Sequence, residues 1–140
     1  MPNIKVTIFQ KKLDTPITKE QKEKLISQKS DFLVLPEFYF GNSPSSIDVA
    51  YENEKLYLDK VYEISDYYKG IVIGGSIFRK IESGILHACP LVKDIALIDW
   101  YTSRTSIKVK NIETKTSETE SIFILNGIRF FYNDWQRQYE

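Results

Sequence analysis

Two stretches of the chain, Asp31 to Phe40 (DFLVLPEFYF) and Ile71 to Phe78 (IVIGGSIF), are apolar at nearly every position. A strand with one wet face alternates polar and apolar side chains, so a run without alternation demands cover on both faces. Candidate cover lies between and before them. From Tyr51 to Lys69 the apolar residues Tyr57, Val61, Ile64 and Tyr68 recur at helical spacing, and Gly70 is a natural stop. Upstream, Ile4 to Gln10 (IKVTIFQ) is rich in β-branched residues and reads as a strand. Thr18, with Gln21 three residues on, forms a capping-box pattern that opens a Lys/Glu-rich helix carrying Leu25 and Ile26. Strand, helix, strand, helix, strand is the order of crossover connections. The first three strands should therefore pair in parallel, with two helices packed on the sheet.

The rest of the chain reads differently. Ile85 to Val92, Ile95 to Tyr101, Ser121 to Leu125 and Ile128 to Tyr132 read as strands, with Lys93-Asp94 as a tight turn between the first two. Helices no longer intervene, so antiparallel or mixed pairing should follow the parallel part. The polar stretch Lys108 to Glu120 reads as a surface loop. Neither an internal repeat nor a linker divides the chain, which leaves a single domain over residues 1–140. A Rossmann or flavodoxin-like half would share the early order, but QKKLDT follows the first strand where a dinucleotide site needs GxGxxG.

Composition removes several functions. The 19 basic and 19 acidic residues cancel, so no polyanion surface is indicated and nucleic acid is not an expected partner. The Lys-rich segment from Lys19 to Lys29 is interleaved with Glu20 and Glu23, as on a solvated helix face. With one cysteine, Cys89, no intrachain disulfide and no thiolate zinc site can form, and one histidine is too few for a His-rich metal centre. No metal or cofactor is expected. The N-terminus, MPNIKVTIFQKK, puts lysines after a short apolar run, the reverse of a signal peptide, and no stretch is long enough to span a membrane. A cytoplasmic protein without membrane contact is the resulting expectation.

Three stretches, in order, resemble the carbon-nitrogen hydrolase (nitrilase/amidase) superfamily. Leu35-Pro36-Glu37-Phe38 is similar to that family's strand ending in a Pro-Glu pair. Ile71-Val72-Ile73-Gly74-Gly75-Ser76 resembles its glycine-paired strand. Leu86 to Val92, Lys93-Asp94 and Ile98 to Tyr101 look like the strand, turn and strand that lead to its catalytic lysine. The resemblance implies one half of an αββα sandwich, a mixed sheet with two helices on it. Because a complete domain of the family is longer, only its N-terminal part is implied.

Enzymes of this kind bring a Glu, a Lys and a Cys to one pocket. The thiolate attacks a nitrile or amide carbon, the Glu moves protons and the Lys stabilises developing charge. Glu37, at the carboxyl end of a strand expected to be parallel, stands where open α/β sheets bind ligands. Its plainer alternative is a strand-end carboxylate facing water. At the lysine position Tyr101-Thr102 leads to Ser103, and a shift of one residue brings Arg104, whose planar cation is no simple substitute. Glu113 is a candidate for a second glutamate that often follows the lysine, or else an exposed loop acid. The strand expected to end in the nucleophile resembles Ile128 to Trp135, and Tyr132 stands in the cysteine's place. Cys89 has only His87, two residues away on the same strand face, as a nearby activating group.

Three readings follow. One is a degenerate carbon-nitrogen hydrolase domain that keeps Glu37 and binds a small amide-like or carboxylate ligand. Another is an active hydrolase whose nucleophile lies outside this chain. The third is a non-enzymatic α/β interaction module. Half a sandwich should leave one apolar sheet face open, so a homo-oligomer is expected.

Overall fold

A computed structural model describes residues 3–12, 15–36, 47–103, 106, 108–109, 112–115, 122–125 and 128–131. The elements run β1 (Val6–Ile8), α1 (Lys19–Gln28), β2 (Phe32–Val34), α2 (Ile47–Tyr67), β3 (Ile71–Ile73), β4 (Ile77–Ile81), β5 (Gly84–Lys93) and β6 (Ala96–Thr102). Short strands β7 (Lys108–Val109), β8 (Ile112–Glu113), β9 (Ile122–Leu125) and β10 (Ile128–Phe131) follow. The first six strands form one mixed sheet. β1, β2 and β3 pair in parallel, in register at Val6, Phe32 and Ile71, as the crossover order requires. From β3 onward the pairing turns antiparallel. This is the expected α/β architecture, a mixed sheet with two helices.

β5 organises the antiparallel part. Its carboxyl half pairs with β3 through Val72↔Val92, its amino half pairs with β4 through Ile77↔Ala88, and its other edge pairs with β6. Ile71 to Phe78, one strand in the sequence reading, is therefore two strands broken at 74–76, and β4 runs on to Ile81. The turn between β5 and β6 sits at Asp94-Ile95, both in the left-handed region, one residue later than expected. The stretch expected to be a surface loop holds the β7–β8 hairpin, buries Thr114, and bridges Lys115 to Leu86. β-Branched Val109 and Ile112 on either side of Lys110-Asn111 were the hairpin signal.

The helices cover one face. Leu33, Leu35, Val72 and Val92 point to it and pack with Leu25 of α1 and Val61, Ile64 and Tyr68 of α2 or its carboxyl end. α1 begins at the expected capping box, with Thr18 and Gln21 bonding each other's backbone amides. Arg79 of β4 fastens α2 to this face. Its Nε bonds Glu54 Oε1 at 3.0 Å, and its guanidinium lies 4.1 Å from the ring centre of Trp100.

Phe32, Ile71, Ile73, Cys89, Leu91 and Tyr101 make the second face, and they too are buried. The apolar face expected to lie open is thus covered within the single chain. Exposed large apolar side chains lie on the edge strands, at Val6 and Ile8 of β1 and Leu97 and Ile98 of β6, and on the helices at Ile26 and Leu56. No helix among the described residues is long and apolar enough to cross a membrane.

A buried relay of hydroxyls ties β1, the entry to β2 and the end of α2 together. Thr7 donates to Ser30 Oγ at 2.9 Å, Ser30 Oγ lies 2.7 Å from the Tyr68 hydroxyl, and Tyr68 donates to the Ser30 carbonyl at 2.8 Å. Burial holds the Tyr68 hydroxyl above its ordinary pKa; the Ser30 hydrogen bond opposes the rise, and the negative charge of Asp31 adds to it. The folded state therefore keeps this proton longer than the unfolded chain does. The associated stability is intact below the ordinary tyrosine range and is lost as pH climbs through the raised value. Tyr68→Phe should cost about 1–3 kcal/mol at neutral pH, by orphaning buried Ser30 groups. It should also remove part of the extra alkaline loss of stability seen in the unsubstituted protein. Denaturant melts of both proteins at neutral and strongly alkaline pH check this; identical pH profiles would contradict it.

Candidate functional site

The carboxyl ends of β2, β3 and β6 lie at one end of the sheet. Leu35 extends β2 by donating its amide to the Ile73 carbonyl at 3.0 Å, and Pro36 follows. Glu37 comes next in sequence but is outside the described residues, as are Arg104, one residue beyond buried Ser103, and Tyr132. Glu113 is described. It lies exposed in β8, opposite Lys108 across the hairpin.

Between β3 and β4 the register against β5 changes. Gly74 donates its amide to Pro90 at 2.8 Å, yet Ile77 already pairs with Ala88. Gly75 and Ser76 thus share the single place opposite Cys89, which is a β-bulge. Bulges re-aim side chains and are common beside active sites. A glycine is needed at its entry, because a Cβ on Gly74 would come within 2.7 Å of Pro90 Cγ and 3.2 Å of Val61 Cγ2. The helix α2 presses on the sheet there.

Strand alternation then gathers a polar set inside the second face. Ile77 pairs with Ala88 on the helix side, so the preceding Ser76 belongs to the face of Cys89. His87 and Cys89 share that face, as the two-residue spacing required. Tyr101 pairs with Cys89, and the Ser103 amide donates to the His87 carbonyl at 2.8 Å, placing Ser103 beside His87. Phe78 packs on the His87 ring with centroids 5.9 Å apart. Ser76, His87, Cys89 and Ser103 are all buried. The sequence analysis names Ser76 in the glycine-paired stretch and Ser103 at the lysine position but gives neither a role; the available signal is a serine closing a glycine pair inside an otherwise apolar run.

This arrangement restricts the chemistry. Cys89 is 1% exposed and sits in the middle of β5 between two paired strands, not at a strand end. It packs as a small hydrophobe. Among the described residues no three His, Cys, Asp or Glu side chains gather as a metal site would need. A cavity of about 430 Å³ does exist, lined in part by Lys29, Asp31, Tyr68, Lys69 and Lys93, but at the amino ends of β2 and β3, away from Pro36 and the bulge. Two helices end there. Lys5 Nζ reaches the Gln28 carbonyl at 2.7 Å and Lys69 Nζ the Asp66 carbonyl at 2.8 Å, so lysine at this end complements the helix dipoles.

No family model matches the sequence, and no curated protein does. Solved structures do match its fold. A CN-hydrolase superfamily protein from Xanthomonas campestris, with an arsenic adduct in its active site, superposes with TM-score 0.68 at 18% identity, over 92% of this chain and 52% of its own. A Saccharomyces cerevisiae member of the nitrilase superfamily gives 0.64 at 18% identity, over 91% and 54%. A cysteine-to-alanine mutant of a Nesterenkonia amidase, in complex with butyramide, gives 0.65 at 15% identity, over 90% and 53%. Another mutant of that amidase carries the acetamide moiety of fluoroacetamide covalently on its active-site cysteine. The chain spans about half the length of these structures, consistent with the N-terminal half that the sequence motifs indicated. The shared fold is that of the nitrilase superfamily.

The bulge depends on the close approach at Gly74. Gly74→Ala should lower stability by about 1–3 kcal/mol, because Pro90 and Val61 must move to admit the methyl group. Urea denaturation of the two proteins measures this, and an unchanged midpoint would mean that α2 does not press on the sheet as described.

Proposed function

We propose that this chain is a carbon-nitrogen hydrolase-like domain that binds a small amide or carboxylate at the carboxyl ends of β2, β3 and β6 without thiol chemistry. One observation carries the reading: the sole cysteine is locked in mid-strand, within a fold whose relatives include an amidase that works through a cysteine. The cysteine-to-alanine form of that amidase still holds butyramide, so loss of the thiol in this fold is compatible with amide binding. In this chain Glu37 follows directly on the end of β2, and we assign it the polar end of the ligand. Arg104, one residue beyond Ser103, and Glu113 are further candidates for contact.

Without a nucleophile, no bond to the amide carbon forms, and the ligand leaves as it came. The competing reading, an active hydrolase whose nucleophile lies outside these residues, differs only in requiring another polypeptide segment. Thermal melts and calorimetry with butyramide and butyrate test the proposal, together with ammonia release and intact mass after exposure to fluoroacetamide. The expected results are a ligand-dependent rise in melting temperature, no ammonia and no mass adduct. Glu37→Gln should weaken butyramide by about tenfold or more, because the carboxylate accepts from the amide N–H, and should leave butyrate no weaker. Ammonia release abolished by Cys89→Ala would overturn the reading in favour of a hydrolase. Absence of any shift would leave the interaction-module reading in its place.

A further inference from the structure

We propose that the hydroxyl of Ser76 contacts the ligand directly, donating a hydrogen bond to its carbonyl or carboxylate oxygen. The inference rests on the ligand-binding reading above and goes beyond it by naming a contact that neither the sequence motifs nor the fold likeness assigns.

The observation is an unmet hydrogen bond in a place built with care. Ser76 is 7% exposed, and its Oγ has no hydrogen-bond partner. A buried hydroxyl left unsatisfied is destabilising, and alanine would fill the same space without that cost. Other buried serines use their hydroxyls. Ser30 is bonded to Thr7 and Tyr68, and Ser65 Oγ accepts the Ile95 amide at 2.9 Å. The exception sits on the one bulge between β3–β4 and β5, on the face of His87 and Cys89, at the sheet end where β2 finishes. An open α/β sheet takes its ligands at that end. A hydroxyl there can give one hydrogen and accept at two lone pairs, which suits a carboxamide and, through its donor, a carboxylate as well.

The hydroxyl is therefore a destabilising feature of the free protein that the ligand relieves. This separates it from a structural serine, whose removal harms the free protein. The test compares the full chain with its Ser76→Ala variant by thermal melts without ligand and by calorimetry with butyramide and with butyrate. The expected result is a melting temperature for Ser76→Ala equal to or above that of the unsubstituted protein. Affinity for whichever probe binds should fall about five- to tenfold, the effect of one neutral hydrogen bond. A lower melting temperature without ligand overturns the inference, because the hydroxyl then has a partner inside the protein. Undiminished affinity in the variant overturns it while leaving the ligand-binding reading intact. Failure of the unsubstituted chain to bind either probe overturns both.

Discussion

The close contact of Gly74 with Pro90 and Val61 is the point on which the rest of the structure turns. There the chain leaves its parallel pairing with β2, continues antiparallel to β5 in a shifted register, and passes under α2. A hydrogen at Cα, in place of a methyl group, lets the helix and the strand meet. Once the Gly74 amide is bonded to Pro90, the next residues have one position too many against β5, and the bulge at Gly75-Ser76 absorbs it. The same constraint therefore sets the register of β4 against β5 and turns a polar side chain into the second face.

Long β5, with partners on both edges, makes this economical. One ten-residue strand collects β3, β4 and β6 and carries the buried His87, Cys89 and Leu91 through the centre of the second face. The faces divide the labour. The helix side also buries hydroxyls, those of Ser65 and of Ser30 with Tyr68, but each is hydrogen-bonded, and at its rim Arg79, Glu54 and Trp100 lock α2 down. The other side mixes Phe32, Ile71 and Leu91 with hydroxyl, imidazole and thiol groups. Of these groups the Ser76 hydroxyl has no hydrogen-bond partner, and a buried hydroxyl without one is expensive as mere packing.

Much of this was legible in the residues. Unbroken apolar runs gave β2 and β3, the capping box gave the start of α1 to the residue, and helical spacing from Tyr57 to Tyr68 gave the body of α2. What the pattern could not show was a register change. Ile71 to Phe78 reads as one strand because a bulge leaves hydrophobicity untouched and alters only which partner each residue meets. The β7–β8 hairpin escaped for the opposite reason, since two-residue strands are too short to establish a period. The site was half legible. The family resemblance pointed to Glu37 and to the missing cysteine, while Ser76 became visible only once burial and hydrogen bonding could be read for each hydroxyl.

Backbone nuclear Overhauser contacts across the seam between β3, β4 and β5 report this register residue by residue. The bulged register predicts contacts joining Val72 to Val92 and Ile77 to Ala88, with the Gly74 amide protected from exchange by Pro90. Contacts joining Ile77 to His87 instead would mean an uninterrupted register, with no bulge, no reason for Ser76 to enter the second face, and no site of the kind described.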